Sequence, residues 1–331
     1  MENKLIGIVI DTLGSDKGPE TVILGASLAL KKYPYIKVAL VGPEQLIRDK
    51  IVELNMDASR IEIVPSEDTI TNYENPTAGI FAKPNASIIQ AMKYTKANDD
   101  YIGMLTAGAS GALLMCSYRF LGKDAKTRPC LSAVLPHAQG SYLAVVDTGA
   151  TIDCTPSQLH EFAHLGRDLM KKLYKIENPK VGLLSNGAEP TKGNHLVKET
   201  YPLLEADETI NFVGNIEGNK SLSGECDVLV CDGFAGNQVL KNSEGMAKML
   251  IKDLVTYAKK LDKPQVMEAV GFLMKKYDFA SLGGGIVLGT KKPIIKCHGN
   301  SDETTIVNTC DILVKYVSGD YIFDPNQVEM K

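Results

Sequence analysis

The sequence predicts an α/β protein with a mixed sheet. Short apolar runs of strand length alternate with amphipathic stretches of helix length, the pattern of strands covered by helices. Leu131–Val146 is two apolar runs with Gly140 between them, which reads as a hairpin and makes part of the sheet antiparallel. Each of several apolar runs ends in a loop of small and polar residues, as parallel strands do at their carboxyl ends.

In chain order the strands are expected at Leu5–Ile10, Lys37–Val41, Arg60–Val64, Tyr101–Leu105, Cys130–Leu135, Tyr142–Val146, Lys180–Leu184, Ile210–Val213, Asp227–Cys231 and Pro293–Lys296. Helices are expected at Pro19–Tyr33, Pro43–Leu54, Ser87–Lys96, Gly111–Phe120, Pro156–Tyr174, Asn194–Leu204 and Gly236–Lys260. Pro19 and Pro156 suit a first helical turn, where the missing N–H costs nothing. No Pro-, Gly- or Ser-rich linker and no repeat divides the chain, which predicts one domain over 1–331 with a helical arm near 246–277.

Composition narrows the function. The 331 residues are 44% hydrophobic and 23% charged, ordinary for a globular protein. A net charge of −4 gives no reason to expect nucleic-acid binding. No apolar run approaches the roughly 20 residues needed to span a bilayer, and Met1–Lys4 does not read as a signal peptide. Seven scattered cysteines fit a reducing cytoplasm.

Five loops carry the candidate chemistry. Ile6–Ile10 leads to Asp11, Gly14 and Asp16; Ile102–Leu105 leads to Thr106-Ala107-Gly108-Ala109-Ser110-Gly111. Val181–Leu184 leads to Ser185-Asn186-Gly187 and then Lys192-Gly193-Asn194; Val228–Cys231 leads to Asp232, Gly233 and Asn237. Ile294–Lys296 leads to His298 and Ser301. Gathered at strand ends, these loops predict a composite site for an anion of phosphate size or larger. Gly108, Ser110 and Gly111 precede a helix, where backbone N–H groups and the helix dipole favour an anion; equally, they make a tight packing turn. Lys192 is a point charge for phosphate or an ordinary surface lysine. Asp232 and Asn237 suit a strand-end site or a helix cap. His298 suits proton transfer or a structural role. Cys116 and Cys297 are conceivable nucleophiles, but small buried cysteines are commoner. There is no Walker loop and no early G-x-G-x-x-G.

His160-Glu161-Phe162-Ala163-His164 matches the H-E-x-x-H zinc pattern. On a helix it places two imidazoles one turn apart, but no third ligand is legible, since no further His comes before His195. A zinc hydrolase is therefore a minor alternative.

The ordered series of segments resembles the PlsX family of phosphate acyltransferases from about Ile6 to Leu313. Its members are Asp11–Pro19, Thr106–Leu113, Asp147–Cys154, Gly182–Gly187, Lys192–Asn194, Asn211–Gly218, Asp232–Asn237, Gly283–Gly285 and Ile295–Asp302. The resemblance implies a three-layer α/β/α sandwich similar to isopropylmalate dehydrogenases, usually homodimeric. It implies transfer of an acyl group from acyl carrier protein to inorganic phosphate, in a cytosolic enzyme of phospholipid synthesis that touches the membrane surface. On this reading Lys192, Asn194, Asp232, Asn237 and His298 are catalytic, and neither metal nor other cofactor is required. Phosphate and substrate fall to Asp11, Gly14, Asp16, Gly108, Ser110, Gly111, Asn215, Gly233, Lys296 and Ser301.

The chain departs from the family pattern at Lys17, Ala109, Thr151 and the cation-poor Pro76–Pro84 segment. Two related readings follow: the acetyl-phosphate-forming PlsX-like subunit of glycine reductase component C, and a non-catalytic paralogue that binds acyl carriers or acyl phosphates. The arm carries Lys248, Lys252, Lys259, Lys260, Lys263, Lys275 and Lys276 between apolar residues. Such a surface suits an acidic carrier protein or anionic lipid, or is a solvated face over a dimer core.

Overall fold

The computed structural model describes residues 5–122, 127–261, 264–277 and 284–318. The first half runs β1 (Ile6–Asp11), α1 (Pro19–Lys32), β2 (Ile36–Gly42), α2 (Glu44–Glu53), β3 (Ile61–Pro65), α3 (Pro76–Ala82), α4 (Ser87–Ala97), β4 (Tyr101–Thr106), α5 (Ser110–Cys116), β5 (Cys130–Pro136) and β6 (Tyr142–Val146). Then come α6 (Pro156–Tyr174), β7 (Lys180–Ser185), α7 (His195–Glu205), β8 (Asn211–Glu217), β9 (Val228–Val230), α8 (Gly233–Leu261), α9 (Pro264–Lys276), β10 (Gly285–Leu288), β11 (Ile294–Lys296) and α10 (Glu303–Ser318).

The chain divides into two compact units. The first takes the residues up to Leu131 and returns for β10, β11 and α10; the second runs from Ser132 through α9.

In the first unit the strands lie in the order β3-β2-β1-β4-β11-β10. All neighbours are parallel except β10 and β11. Alternation decides which helix each strand residue meets. Val9, Ala39, Val41 and Met104 form one buried cluster with Ile88 and Met92 of α4 and Leu113 of α5. α1 and α10 pack together so closely that a Cβ on Gly25 would stand 2.5 Å from Ile306 Cβ.

In the second unit the order is β5-β6-β9-β7-β8. β5 and β6 form the expected antiparallel hairpin, with Gly140 at φ 80° in its turn, and the other neighbours are parallel. α6 begins in a capping box: Gln158 N–H donates to Thr155 Oγ1, and Thr155 N–H donates to Gln158 Oε1. Gly166 lets α6 lie against the sheet, since a Cβ there would stand 2.5 Å from Val228 Cγ1. Leu143, Val145 and Leu229 pack with Val239 and Leu240 of α8. Helices thus cover both faces of a mixed sheet, the expected α/β/α layering.

Over 246–277, where a helical arm is expected, lie the later part of α8 and α9, with Leu250, Tyr257 and Phe272 exposed. Lys263 and the Lys275 side chain lie outside the described residues. Among the described residues, α3, β10 and α10 arise where neither an α-helix nor a strand is expected. The helix expected at Gly111–Phe120 starts at Ser110 and gives way after Cys116 to a π-turn over Ser117–Leu121.

Candidate functional site

In the first unit the ends of three adjacent parallel strands bring Asp11, Thr106 and Lys296 side by side, with Thr106 in register with both neighbours. Thr106 Oγ1 donates to Asp11 Oδ2 at 2.8 Å and accepts the Gly108 N–H at 2.9 Å. Leu13 N–H donates to Asp11 Oδ1. Lys296 Nζ donates to the Ala107 carbonyl at 3.3 Å and to the Cys297 carbonyl. Asp11 is fully buried, and burial pushes its carboxyl up to about 6, against the opposing pull of the Ser87 and Thr106 hydroxyls, the Leu13 N–H and the Lys296 charge. A carboxyl tuned to that range exchanges a proton near neutral pH.

The β1 and β4 loops meet backbone to backbone. Gly14, at φ 86°, approaches so closely that a Cβ would stand 2.5 Å from Gly108 Cα. Asp16 N–H donates to the Gly299 carbonyl at 2.8 Å, which ties the β1 loop to the β11 loop. His298 is half-buried there, and its carbonyl accepts the Ser301 N–H. Ser301 Oγ is buried and lacks a hydrogen-bond partner. The structure thus gathers Asp11, Gly14, Asp16, Gly108, Lys296, His298 and Ser301 into neighbouring loops. Ser110 opens α5, and a Cβ on Gly111 would meet Pro76 Cγ at 2.6 Å, so Gly111 serves the packing of α3 on α5.

In the second unit the central group is Asp147, at the end of β6 and fully buried. Its Oδ1 accepts the Gly149 and Ala150 N–H groups, and its Oδ2 accepts those of Ala150 and Thr151 at 2.9 and 2.6 Å. This carboxylate shapes the whole Gly149–Thr151 turn. Gly233 N–H donates to the Thr151 carbonyl at 2.8 Å, and Asn237 Nδ2 donates to the Thr148 carbonyl at 3.3 Å. Asp232 Oδ1 accepts the Ala235 N–H at 2.8 Å and so caps the start of α8. Asp232, Gly233 and Asn237 are therefore together, with Gly233 and Asn237 tied to the turn after β6 and Asp232 to the start of α8.

The loop after β7 carries Lys192 and Asn194, and Asn215 of β8 bonds to it. Gly193 N–H donates to Asn186 Oδ1, Asn215 Nδ2 donates to the Glu189 carbonyl, and Asn194 Oδ1 caps α7 through the Val197 N–H. Asn215 Oδ1 is buried without a partner, and Lys192 is exposed. The cap uses the oxygen of Asn194 and not its donor nitrogen.

The two conceivable nucleophiles are buried. Desolvation pushes the Cys116 thiol up to about 12 and raises that of Cys297, the opposite of an activated thiolate. Asp147 and Thr106 are absent from the residues assigned a role above. The signal for Asp147 is the one that marks Asp232: a carboxylate directly after an apolar run.

Residues 6–322 match the family described as fatty acid synthesis protein. A phosphate acyltransferase of Brevibacillus brevis is 38% identical over 320 residues, covering 95% of this chain and 94% of that protein. The chain belongs to the PlsX family. In fold it is similar to a phosphotransacetylase from Streptococcus pyogenes, with TM-score 0.61 at 15% identity over 96% of each chain. A 4-hydroxythreonine-4-phosphate dehydrogenase from Salmonella typhimurium is also similar, with TM-score 0.52 at 11% identity, covering 94% of this chain and 99% of that one.

Family membership gives the departures their meaning. At Thr151 the turn is held through the backbone N–H and carbonyl. Ala109 sits in the buried cluster beneath α5. The Pro76–Pro84 segment folds as α3, capped by Asn75 Oδ1 on the Ala78 N–H. The changed residues are built into ordered structure.

Proposed function

We propose that this protein transfers an acyl group from an acyl carrier protein thioester to inorganic phosphate, releasing acyl phosphate for phospholipid synthesis. The observation that carries the reading is the match over nearly the whole chain to a phosphate acyltransferase at 38% identity. A phosphate oxygen attacks the thioester carbonyl, the tetrahedral intermediate collapses, and the carrier thiolate leaves and takes up a proton.

Lys192 holds phosphate as an exposed cation, and Lys296 is the cation at the ends of the first unit's strands. Asn194 and Asn237 supply amide donors for the oxyanion; removing one such donor typically costs about 10²–10³ in rate. Asp232 and His298 are the proposed groups for protonating the leaving thiolate. To these we add Asp11, because a carboxyl titrating near 6 can take the proton that phosphate loses on attack.

The acyl donor is a carrier protein, the assembly a homodimer and the location the cytoplasm with contact at the membrane surface. The arm supports docking: exposed Met249, Leu250, Tyr257 and Phe272 lie among its lysines. No described helix is long and apolar enough to cross a membrane. The test is a donor panel. Palmitoyl carrier protein and acetyl thioesters are each incubated with phosphate, and acyl phosphate is trapped as hydroxamate. Faster turnover of the long-chain carrier substrate supports this reading. Preference for the acetyl donor would move the protein to the acetyl-phosphate branch, and binding without turnover would make it a non-catalytic paralogue.

A further inference from the structure

His160 and His164 face the same side of α6 with ring centroids 4.9 Å apart. The turn after α7 brings in a third group that the sequence does not reveal. Asp207 Oδ2 lies 2.7 Å from His160 Nε2 and 3.0 Å from His164 Nε2. One donor atom from each residue falls within 4.8 Å of the others, and all three side chains are half-buried. The other carboxylate oxygen is already engaged: Asp207 Oδ1 accepts the Thr209 N–H at 2.9 Å and the Thr209 hydroxyl at 2.7 Å. Arg167 of α6 donates from Nη1 to the Thr209 carbonyl at 3.0 Å. The helix that carries the imidazoles therefore also pins the loop that carries the carboxylate. None of these residues has a part in acyl transfer as described above.

We propose that His160 Nε2, His164 Nε2 and Asp207 Oδ2 bind one divalent transition-metal ion, of which zinc is the representative. Two imidazoles and a carboxylate suit zinc, cobalt or nickel better than the hard cations that prefer all-oxygen sites. Ligands at about 2.0–2.2 Å in a tetrahedral site stand roughly 3.3 Å from one another. To reach that geometry the two His–Asp separations widen by about 0.3–0.6 Å, and the two imidazole nitrogens, within 4.8 Å of each other, come to the same spacing. The bonds of Oδ1 to Thr209 fix the carboxylate rotamer, as outer-shell partners of metal ligands do. On binding, each ring presents its Nε2 lone pair and keeps its proton on Nδ1. The fourth position is left to water, and the ion ties α6 to the α7–β8 turn.

The exposed His195–Glu199 pair, 3.2 Å apart, offers two donors and serves as control. Untagged protein is stripped with EDTA and desalted. It is then titrated with zinc sulfate by calorimetry, and metal content is read by mass spectrometry. One equivalent of zinc is expected in the native chain and in His195→Ala, with zinc raising the melting temperature of both. His164→Gln and Asp207→Asn, checked for native circular dichroism, should bind at least tenfold more weakly and show no thermal shift. Asp207→Asn keeps an oxygen for Thr209, so its loss of binding reports the ion and not the loop. Zinc bound equally by both variants, or no saturable zinc binding by the native chain, overturns the site and leaves a hydrogen-bonded His–Asp cluster.

Discussion

Asp11→Asn tests the electrostatics of the first unit's strand ends. The Asp11 carboxyl is raised from 3.8 to about 6, chiefly by burial. That is about 2 units, or about 3 kcal/mol between the protonated and ionised forms. The shift fixes the sign. Between pH 4 and 6 the folded chain holds a proton on Asp11 that the unfolded chain has released, so stability falls as pH rises through this window. Above pH 6 both states are ionised and the full cost of about 3 kcal/mol is present. Asparagine does not titrate. Any hydrogen bond to Thr106 or Leu13 that the substitution weakens adds an offset independent of pH, and titrations elsewhere are common to both proteins and cancel. The stability of Asp11→Asn relative to the native chain should therefore climb by about 2–3 kcal/mol from pH 4 to 7. Urea unfolding of both proteins at half-unit pH steps measures it. A difference that stays flat across the window would refute the raised carboxyl and remove Asp11 as a proton acceptor. If the reading holds, the variant is at least as stable at neutral pH relative to acid, yet forms acyl phosphate more slowly.

Three further outcomes follow from single contacts. Asp147→Asn places an amide NH₂ where Oδ2 now accepts the Ala150 and Thr151 N–H groups; leaving a buried donor unsatisfied costs about 1–3 kcal/mol, and the urea midpoint should fall accordingly. Gly236→Ala puts a Cβ within 1.9 Å of the Asp147 carbonyl oxygen and 2.8 Å of Cys231 Sγ; overpacking of this kind costs about 1–3 kcal/mol, and an unchanged melting temperature would mean that the turn yields freely. Lys192→Ala removes an exposed charge, so the melting temperature should hold while KM for phosphate rises several-fold; unchanged phosphate kinetics would exclude Lys192.

The strands were legible because their apolar runs are continuous and buried, as Val9, Val145 and Leu229 show. Elements whose reason lies elsewhere in the chain were not. α3 contains Gly79 between Pro76 and Pro84 and reads locally as a loop; it forms because Asn75 caps it and Gly79 fits against Ile70. The first two turns of α10 carry Thr304, Thr305, Ile306 and Val307, β-branched residues of modest helix propensity. Its Asp302 cap and its packing on α1 at Gly25 outweigh that. β10 has four residues and needs β11 beside it. At the candidate site the loops themselves were readable. The burial that tunes Asp11 and the reach of Asp207 to two histidines over 40 residues away in sequence were not, since neither leaves a local signature. Asp232 shows the opposite case: the residue stands where the apolar run places it, and part of its carboxylate is spent on capping α8.

The most direct test of acyl transfer to phosphate is to follow the phosphate atom. Palmitoyl carrier protein is incubated with ³²P-labelled inorganic phosphate and the purified protein, and the labelled product is resolved chromatographically. Label should appear in palmitoyl phosphate in equal amount to the free carrier thiol released, and should vanish when the protein is omitted or hydroxylamine is added. Thiol release without labelled acyl phosphate would show hydrolysis by water, and would contradict the assignment.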